Sequence, residues 1–162
     1  MKPGEVPQAY RASVAAIIVN KNKEFFLVQQ PGFKSDEWDF VKGGMIQGED
    51  EEDTLKREVE EELGGDFKYK TLRESVWKII YPWPLEHQLK KGFRGQARVS
   101  FWILYKEGDI KVEEKELTAT KWFKSEDIER VLVESGAKAQ EVKIFLEDWK
   151  MILQEFAKDF EN

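Results

Sequence analysis

The chain has 162 residues, of which 41% are hydrophobic and 13% aromatic, and this composition predicts one globular domain with its own core. It contains no cysteine, which excludes disulfides, thiolate metal sites and a cysteine nucleophile. The formal net charge of −6 argues against broad coating of nucleic acid, and no run of residues is long and apolar enough to span a bilayer.

The first 41 residues predict an arm followed by three strands. Residues 1–9 contain two prolines and a glycine, lack the apolar core of a signal peptide, and predict a loose arm. Residues 10–19 are almost continuously apolar, which is typical of a buried strand, and residues 24–30 predict its partner across a polar turn. Residues 38–41 form a short candidate strand that leads into the next segment.

A glycine-bearing loop and an acidic helix follow. Gly43, Gly44 and Gly48 predict the loop, because glycine marks turns. From Asp53 to Leu63 no residue breaks a helix, and Gly64 provides a C-terminal stop. We expect this loop and helix to organise the functional part of the molecule.

Three carboxylates share one face of the predicted helix. Glu58, Glu61 and Glu62 stand at i, i+3 and i+4, whereas the apolar residues recur every four positions from Leu55 and lie on another face. Residues 49–62 carry a local charge of −7, against −6 for the whole chain. Carboxylates held so close together repel one another, and a hard divalent cation such as Mg2+ relieves that repulsion. The alternative interpretation is a solvated acidic helix without a site.

The remainder of the chain alternates strands with helices. Strands are predicted over residues 67–81, 97–105 and 118–123. Residues 82–95, which mix aromatic with basic side chains, predict a loop. Helices are predicted over residues 125–133 and 137–160, and the apolar stripe of the second is typical of core packing. Strands interleaved with three helices predict an α/β fold in which helices cover both faces of a mixed sheet.

The loop and the acidic helix together carry eight residues at fixed spacing. They are Gly43, Glu49, Arg57, Glu58, Val59, Glu61, Glu62 and Gly64. This pattern resembles the box of the Nudix hydrolases, and only its final apolar position departs, since residue 65 is glycine. The resemblance implies an α/β/α sandwich, with residues 1–162 forming a single Nudix domain.

Segments outside the box resemble one branch of this superfamily, the RNA 5′-pyrophosphohydrolases and the dinucleoside tetraphosphate hydrolases. The matching segments are Tyr10-Arg11, residues 38–44, residues 91–96, and Glu116 six residues ahead of Trp122. Those enzymes usually have proline where this chain has Val41, so we expect a different shape for the entry loop. The resemblance covers about residues 10–125.

The resemblance implies hydrolysis of a phosphoanhydride bond that depends on Mg2+, for which Mn2+ can substitute. The implied metal ligands are Glu58, Glu61, Glu62 and Glu116. A backbone carbonyl near Lys42 or Gly43 is a further candidate ligand. These four glutamates and Arg57 are the catalytic candidates, and Glu116 is either a ligand or the base for the attacking water. Arg57 is expected to grip Glu49 and brace the loop on the helix, while Gly43 and Gly64 shape its two ends.

Basic and aromatic side chains outside the box are candidates for binding a substrate. Residues 78–98 contain five basic residues and a single acidic one, so they either clamp a polyphosphate or form a solvated loop. The candidates are Arg11, Lys42, Lys91 and Arg94 for phosphates, and Trp83 and Phe93 for stacking on a base. His87, the only histidine, is expected at the surface.

Two classes of function follow from these patterns. The first is a hydrolase of nucleoside polyphosphates, acting on RNA 5′-triphosphate ends or on dinucleoside polyphosphates of the diadenosine tetraphosphate type. Nucleoside triphosphates, ADP-ribose and sugar nucleotides are alternative substrates. The second class is a non-catalytic Nudix module that binds a nucleotide, and the complete set of box acids argues against it. We expect a cytoplasmic monomer or homodimer that does not associate with membranes.

Overall fold

The structure, a computed structural model, describes residues 5–113 and 116–161. Within these residues the strands are β1 (Arg11–Val19), β2 (Glu24–Gln29), β3 (Val41–Gly44), β4 (Lys68–Glu74), β5 (Ile79–Pro82), β6 (Gly95–Glu107) and β7 (Ala119–Lys124). The helices are α1 (Glu51–Leu63), α2 (Leu85–Lys91), α3 (Ile128–Glu134) and α4 (Ala139–Glu155), with short 3-10 turns at Ser125–Asp127 and Ala157–Phe160.

All the strands belong to one mixed sheet with β1 and β6 at its centre. These two strands run parallel, in register from Arg11 opposite Gln96 to Val19 opposite Leu104. The order across the sheet is β4-β6-β1-β2-β7, with β3 paired to β1 and β5 paired to β6. On one edge of β1, only the last residues of the strand pair with β2, and the earlier residues from Ser13 to Ala16 pair with β3. The loop that follows β3 therefore starts beside the beginning of β1.

The two faces of the sheet bury two separate cores. Alternate residues of β1 point to opposite faces, since side chains of a strand have a period of two. Ala15, Ile17 and Val19 join the core covered by α3 and α4, and the intervening residues of the strand join the core covered by α1. This arrangement confirms the predicted α/β/α fold, with α1 covering one face of the sheet and α3 and α4 covering the other.

A buried carboxylate fastens α4 to the sheet. Asp148 accepts hydrogen bonds from Arg73 Nη2, Ser75 Oγ and Trp102 Nε1, each at 2.7 Å. Burial raises the pKa of Asp148, but the hydrogen bonds outweigh burial and hold the pKa below its ordinary value. One carboxylate thus connects α4 with β6 and with the end of β4.

Two segments that were predicted as loops contain regular secondary structure. Strand β3 begins at Val41 and contains Gly43 and Gly44, because their backbone pairs with β1 although they were assigned to a loop. Residues 82–95, also predicted as a loop, contain helix α2. Proline is tolerated at a helix start, and Gly92 adopts a left-handed φ of 79° that ends the helix.

The last helix is shorter than the predicted range of residues 137–160. It starts at Ala139 and ends at Glu155, after which the chain turns into a 3-10 segment. This turn lets Phe160 pack edge-on against Trp149, with ring centroids 5.7 Å apart, and lets Asp159 pair with Lys70 at 3.0 Å. Within the described residues, no helix is both long and apolar enough to cross a membrane.

Candidate active site

Helix α1 is placed by a capping interaction at its start and by apolar contacts along its length. Asp50 accepts a hydrogen bond from the Asp53 amide at 2.8 Å, and the Asp53 carboxylate accepts one from the Asp50 amide. Leu55, Val59 and Leu63 are buried against the sheet. Because these three residues face the core, the neighbouring glutamates lie along the side of the helix next to β3.

Arg57 joins the loop to the helix through five polar contacts. It grips Glu49 with Nε at 2.6 Å and Nη2 at 2.9 Å, and Nη2 also donates to the Gly44 carbonyl at 2.8 Å. Its Nη1 donates to Glu58 at 2.8 Å and to Glu61 at 3.3 Å. Hydrogen bonding to Arg57 lowers the pKa of Glu49 to about 2. The structure thus contains the Glu49–Arg57 pair that the sequence predicted.

Gly43 leaves room for the carboxyl group of Glu58. A Cβ atom at position 43 would lie 1.9 Å from Glu58 Cδ, so any side chain there would displace the Glu58 carboxyl group. Gly44 makes the same accommodation on the opposite face of β3, where a Cβ would lie 2.1 Å from Arg11 Nη2. Two adjacent glycines therefore let an acidic and a basic side chain approach the same strand from its two faces.

Glu62 is the most unusual carboxylate of the site. It is only 4% exposed, and its Oε2 atom is buried without a hydrogen-bond partner among the described residues. Burial first, and the charges of Glu58 and Glu116 next, raise the pKa of Glu62 to about 8. Burial likewise raises the pKa of Glu58, although the hydrogen bond from Arg57 opposes it. A buried acid whose oxygen has no partner among the described residues is a candidate functional group.

Glu116 comes from outside the box and lies close enough to influence this cluster. Its negative charge contributes to raising the pKa of both Glu58 and Glu62. The side chain is exposed, on the connection before β7, and its amide donates to the Glu113 carbonyl at 2.9 Å. By sequence, Glu113 and Glu114 are near competitors for the role of Glu116, and Glu114 lies outside the described residues.

The described part of the chain contains no three acidic or histidine side chains already arranged as a complete metal site. Arg57 holds Glu58 and Glu61 by hydrogen bonds with which an ion would have to compete. The oxygen-rich donor set, the space kept free by Gly43 and the unpartnered Glu62 oxygen nevertheless fit a hard divalent cation.

A second charged cluster lies on the other face of β3. The Asp39 carboxylate pairs with Lys42 at 2.6 Å and lies 3.7 Å from Arg98, which is only 6% exposed. Burial raises the pKa of Asp39, but Arg98 and Lys42 outweigh it and lower the pKa below its ordinary value. The positive charge of Lys42 partly opposes the rise in the pKa of Glu62, so the two clusters are electrostatically coupled.

A cleft of about 480 Å³ opens above this second cluster. Its walls include Trp38, Asp39, Lys42, Trp77, Tyr81 and Arg98, together with the turn between α3 and α4. Of the predicted substrate-binding residues, Lys42 lines the cleft, whereas Lys91, Arg94, Trp83 and Phe93 do not. Arg11 does not line the cleft either, but its guanidinium lies over Gly44 on the same face of the sheet.

Sequence reasoning did not single out Asp39 or Trp77 as site residues, and it named Tyr81 among the rings that could stack on a base but retained only Trp83 and Phe93. Asp39 offered a signal, because it is a lone acid between two aromatic residues in a short apolar segment. Trp77 offered none, and Tyr81 was set aside, since tryptophan and tyrosine in strand-like segments more often pack in a core. Their place in the cleft depends on how β5 pairs with β6.

The sequence signature of the NUDIX domain matches residues 9–145, which is most of the chain. The chain therefore belongs to the NUDIX family, as the box predicted. The match extends past the box on both sides, through the strands and helices that build the site and the cleft.

Named relatives agree with the branch that the flanking segments indicated. The RNA pyrophosphohydrolase of Ruthia magnifica subsp. Calyptogena magnifica is 32% identical over 111 residues, which cover 65% of this chain and 61% of that protein. The RNA pyrophosphohydrolase of Orientia tsutsugamushi (strain Boryong) is 30% identical over 125 residues, covering 74% and 78%. The alignment thus spans less than two thirds of the Ruthia protein.

Solved structures share the fold at low sequence identity. The crystal structure of UDP-X diphosphatase superposes with a TM-score of 0.61 at 19% identity, covering 93% of this chain and 68% of that one. An Ap4A hydrolase from C. elegans gives a TM-score of 0.57 at 20% identity, covering 90% and 99%. These likenesses show the fold and do not distinguish among substrates.

Proposed function

We propose that this chain is a metal-dependent pyrophosphohydrolase that removes phosphate from the 5′-triphosphate end of RNA. The observation that carries the proposal is the buried carboxylate of Glu62, which has no hydrogen-bond partner among the described residues and lies beside Glu58. Lys42 acts on Glu62 electrostatically and also lines the cleft of cations and aromatic rings on the other face of β3. A non-catalytic module has no need to keep every acidic position of the box. Each of those positions is present here.

Glu58, Glu61 and Glu62 would hold the divalent ion, with Glu116 and the Gly43 carbonyl as further candidate ligands. When bound, Mg2+ neutralises charge on the phosphate oxygens and lowers the pKa of water. The chain itself supplies a fixed set of oxygens, because Arg57 and Gly43 determine where the Glu58 carboxyl group lies. Glu116 either joins the ligands or accepts the proton of the attacking water.

The face of β3 opposite Glu58 supplies the contacts for the substrate. Arg11 and Lys42 lie on this face and offer positive charge to a polyphosphate, with Arg98 behind them. Trp38 and Tyr81 in the wall of the cleft offer rings on which a base can stack. Asp39 balances Lys42 and Arg98, so we expect the entry of phosphate to loosen the Asp39–Lys42 pair.

Between the two substrates that the sequence left open, the named relatives support RNA. Two proteins named RNA pyrophosphohydrolase are at least 30% identical to this chain. The Ap4A hydrolase is only 20% identical, so its similarity supports the fold and not the substrate. Dinucleoside polyphosphates are therefore included in the test as the alternative substrate.

The test incubates the protein with Mg2+ and a panel of substrates, and identifies the products by chromatography. The panel contains 5′-triphosphorylated RNA, diadenosine tetraphosphate, nucleoside triphosphates, ADP-ribose and a sugar nucleotide. We expect release of pyrophosphate or phosphate from RNA. If the protein instead preferentially forms ATP and AMP from diadenosine tetraphosphate, that compound and not RNA is the substrate. A Glu58→Gln/Glu62→Gln variant that remains folded but cleaves RNA at the wild-type rate would refute the site.

A further inference from the structure

Strand β5 carries a row of side chains from the cleft to α2. Tyr81 lines the cleft, and its hydroxyl donates to Gln96 across the β5–β6 pair at 2.6 Å. The pairing continues one step beyond β5, since the Trp83 amide donates to the Arg94 carbonyl at 2.9 Å. Residues two apart on a strand share a face, so Trp83 and Arg94 extend the surface that begins with Tyr81 and Gln96.

Helix α2 adds a basic face to this row. His87, Lys90 and Lys91 stand at i, i+3 and i+4, so they share one side of the helix. The His87 ring packs edge-on against Trp83, with centroids 4.5 Å apart, which places this side of the helix next to the row. No residue of α2 is buried, so its cations are accessible.

The basic side chains of this surface lack acidic partners. Within the described residues, Lys90, Lys91 and Arg94 form no ion pair, and Arg94 instead lies 5.9 Å from the centre of the Tyr10 ring. Glu86 is the single acid of the helix. A surface of aromatic rings and unpaired cations suits single-stranded nucleic acid, whose bases stack and whose phosphates are negative.

We propose that this surface, formed by Tyr81, Trp83, His87, Lys90, Lys91 and Arg94, binds the RNA nucleotides that follow the 5′ end held in the cleft. The proposal deepens the proposed function and rests on it, because the cleft must hold the RNA end. From Ile79 to Trp83 the row extends about 13 Å along the strand. The surface favours long RNA over substrates that end inside the cleft.

Binding is measured by fluorescence anisotropy with 5′-monophosphorylated RNA, a 12-mer and a dinucleotide, so that no cleavage is required. We expect the wild type to bind the 12-mer at least 10-fold more tightly. In a Lys90→Gln/Lys91→Gln variant this advantage should fall by about 10-fold, and the salt dependence of log K should flatten by about 1.4, or 0.7 for each lost phosphate contact. Trp83→Leu should weaken binding without changing the salt dependence.

The matched control is Lys143→Gln/Lys150→Gln, which removes two exposed lysines from α4. It should bind the 12-mer as the wild type does. Equal affinities of the wild type for the 12-mer and the dinucleotide, or an equal loss in both double variants, would overturn the proposal. Cleavage of triphosphorylated dinucleotide and 12-mer is assayed separately. If both RNAs are cleaved without a length preference, only the proposed RNA-binding surface is refuted. If neither RNA is cleaved, the proposed function is refuted.

Discussion

The carboxyl group of Glu58 occupies the space that a side chain at position 43 would require. A Cβ atom built on Gly43 lies 1.9 Å from Glu58 Cδ and 2.0 Å from Glu58 Oε1. The glycine of β3 and the glutamate of α1 are 15 positions apart in the chain. The Glu58 carboxyl group can lie where it does only because residue 43 has no side chain. Their contact explains why the motif needs glycine at a position that turned out to be a strand.

Replacing Gly43 with alanine should displace Glu58 and lower kcat by at least about 100-fold. The added methyl group overlaps the carboxyl group, which ends a flexible side chain, so we expect the carboxyl group to move and to lose its hydrogen bond from Arg57 while the protein stays folded. Gly65→Ala is the matched control, because its Cβ meets no atom within 4 Å and its φ is not positive. Both variants are compared in RNA cleavage and urea unfolding. Wild-type kcat in Gly43→Ala would contradict the expected displacement.

Glu62 should make the stability of the metal-free protein depend on pH. Its pKa is about 8 in the folded protein and near its ordinary value of 4.5 in the unfolded chain. Its stabilising contribution is therefore complete below pH 4.5 and is lost as the pH rises through 8. Glu62→Gln should match the wild type near pH 4 and exceed it near pH 9 by a few kcal/mol, since one pKa unit corresponds to about 1.4 kcal/mol.

Urea unfolding in EDTA at the two pH values checks this expectation. Glu60→Gln serves as the control, because Glu60 lies on the exposed side of α1. Addition of Mg2+ should stabilise the wild type and have little effect on Glu62→Gln, since the variant lacks a ligand. A difference between Glu62→Gln and the wild type that does not change with pH would contradict the raised pKa.

Arg57→Lys should lower RNA cleavage by about 10- to 100-fold while the protein stays folded. Lysine carries a point charge, and it cannot hold Glu49 with two hydrogen bonds while also bonding the Gly44 carbonyl and Glu58. The neighbouring variant Lys56→Gln changes an exposed residue of the same helix and should keep kcat within twofold. Equal rates for the two variants would show that Arg57 does not position the acids.

Asp148→Asn should destabilise the protein by about 3 kcal/mol, because it leaves Arg73 with a weakened partner at a buried site. Glu147→Gln removes a charge from the adjacent exposed position and should be nearly neutral. The pKa of Asp148 is lowered by folding, so its contribution is present above its ordinary pKa of 3.8 and is lost as the pH falls further. Urea unfolding at pH 7 and pH 3 should therefore show the Asp148→Asn deficit shrinking in acid.

Local patterns in the chain were sufficient for the family, the acidic helix and the type of fold. The box, the helix that ends at Gly64 and the pairing of Glu49 with Arg57 depend on residues close together in sequence. Helix periodicity and C-terminal glycines involve only a few neighbouring residues, so they can be recognised in the sequence without a structure. Helix α2 was missed because a proline at its start was taken as a break.

The sequence by itself determined which residues belong to the acidic cluster and to which family the chain belongs. Only the tertiary structure decided that Glu62 is buried with an unpartnered oxygen, that Asp39 joins Lys42 to Arg98, and that Tyr81 lines the cleft. These features arise where β1, β3, β5 and β6 meet α1 and the α3–α4 turn. Burial and charge pairing depend on distances between segments far apart in the chain, and no local pattern encodes those distances.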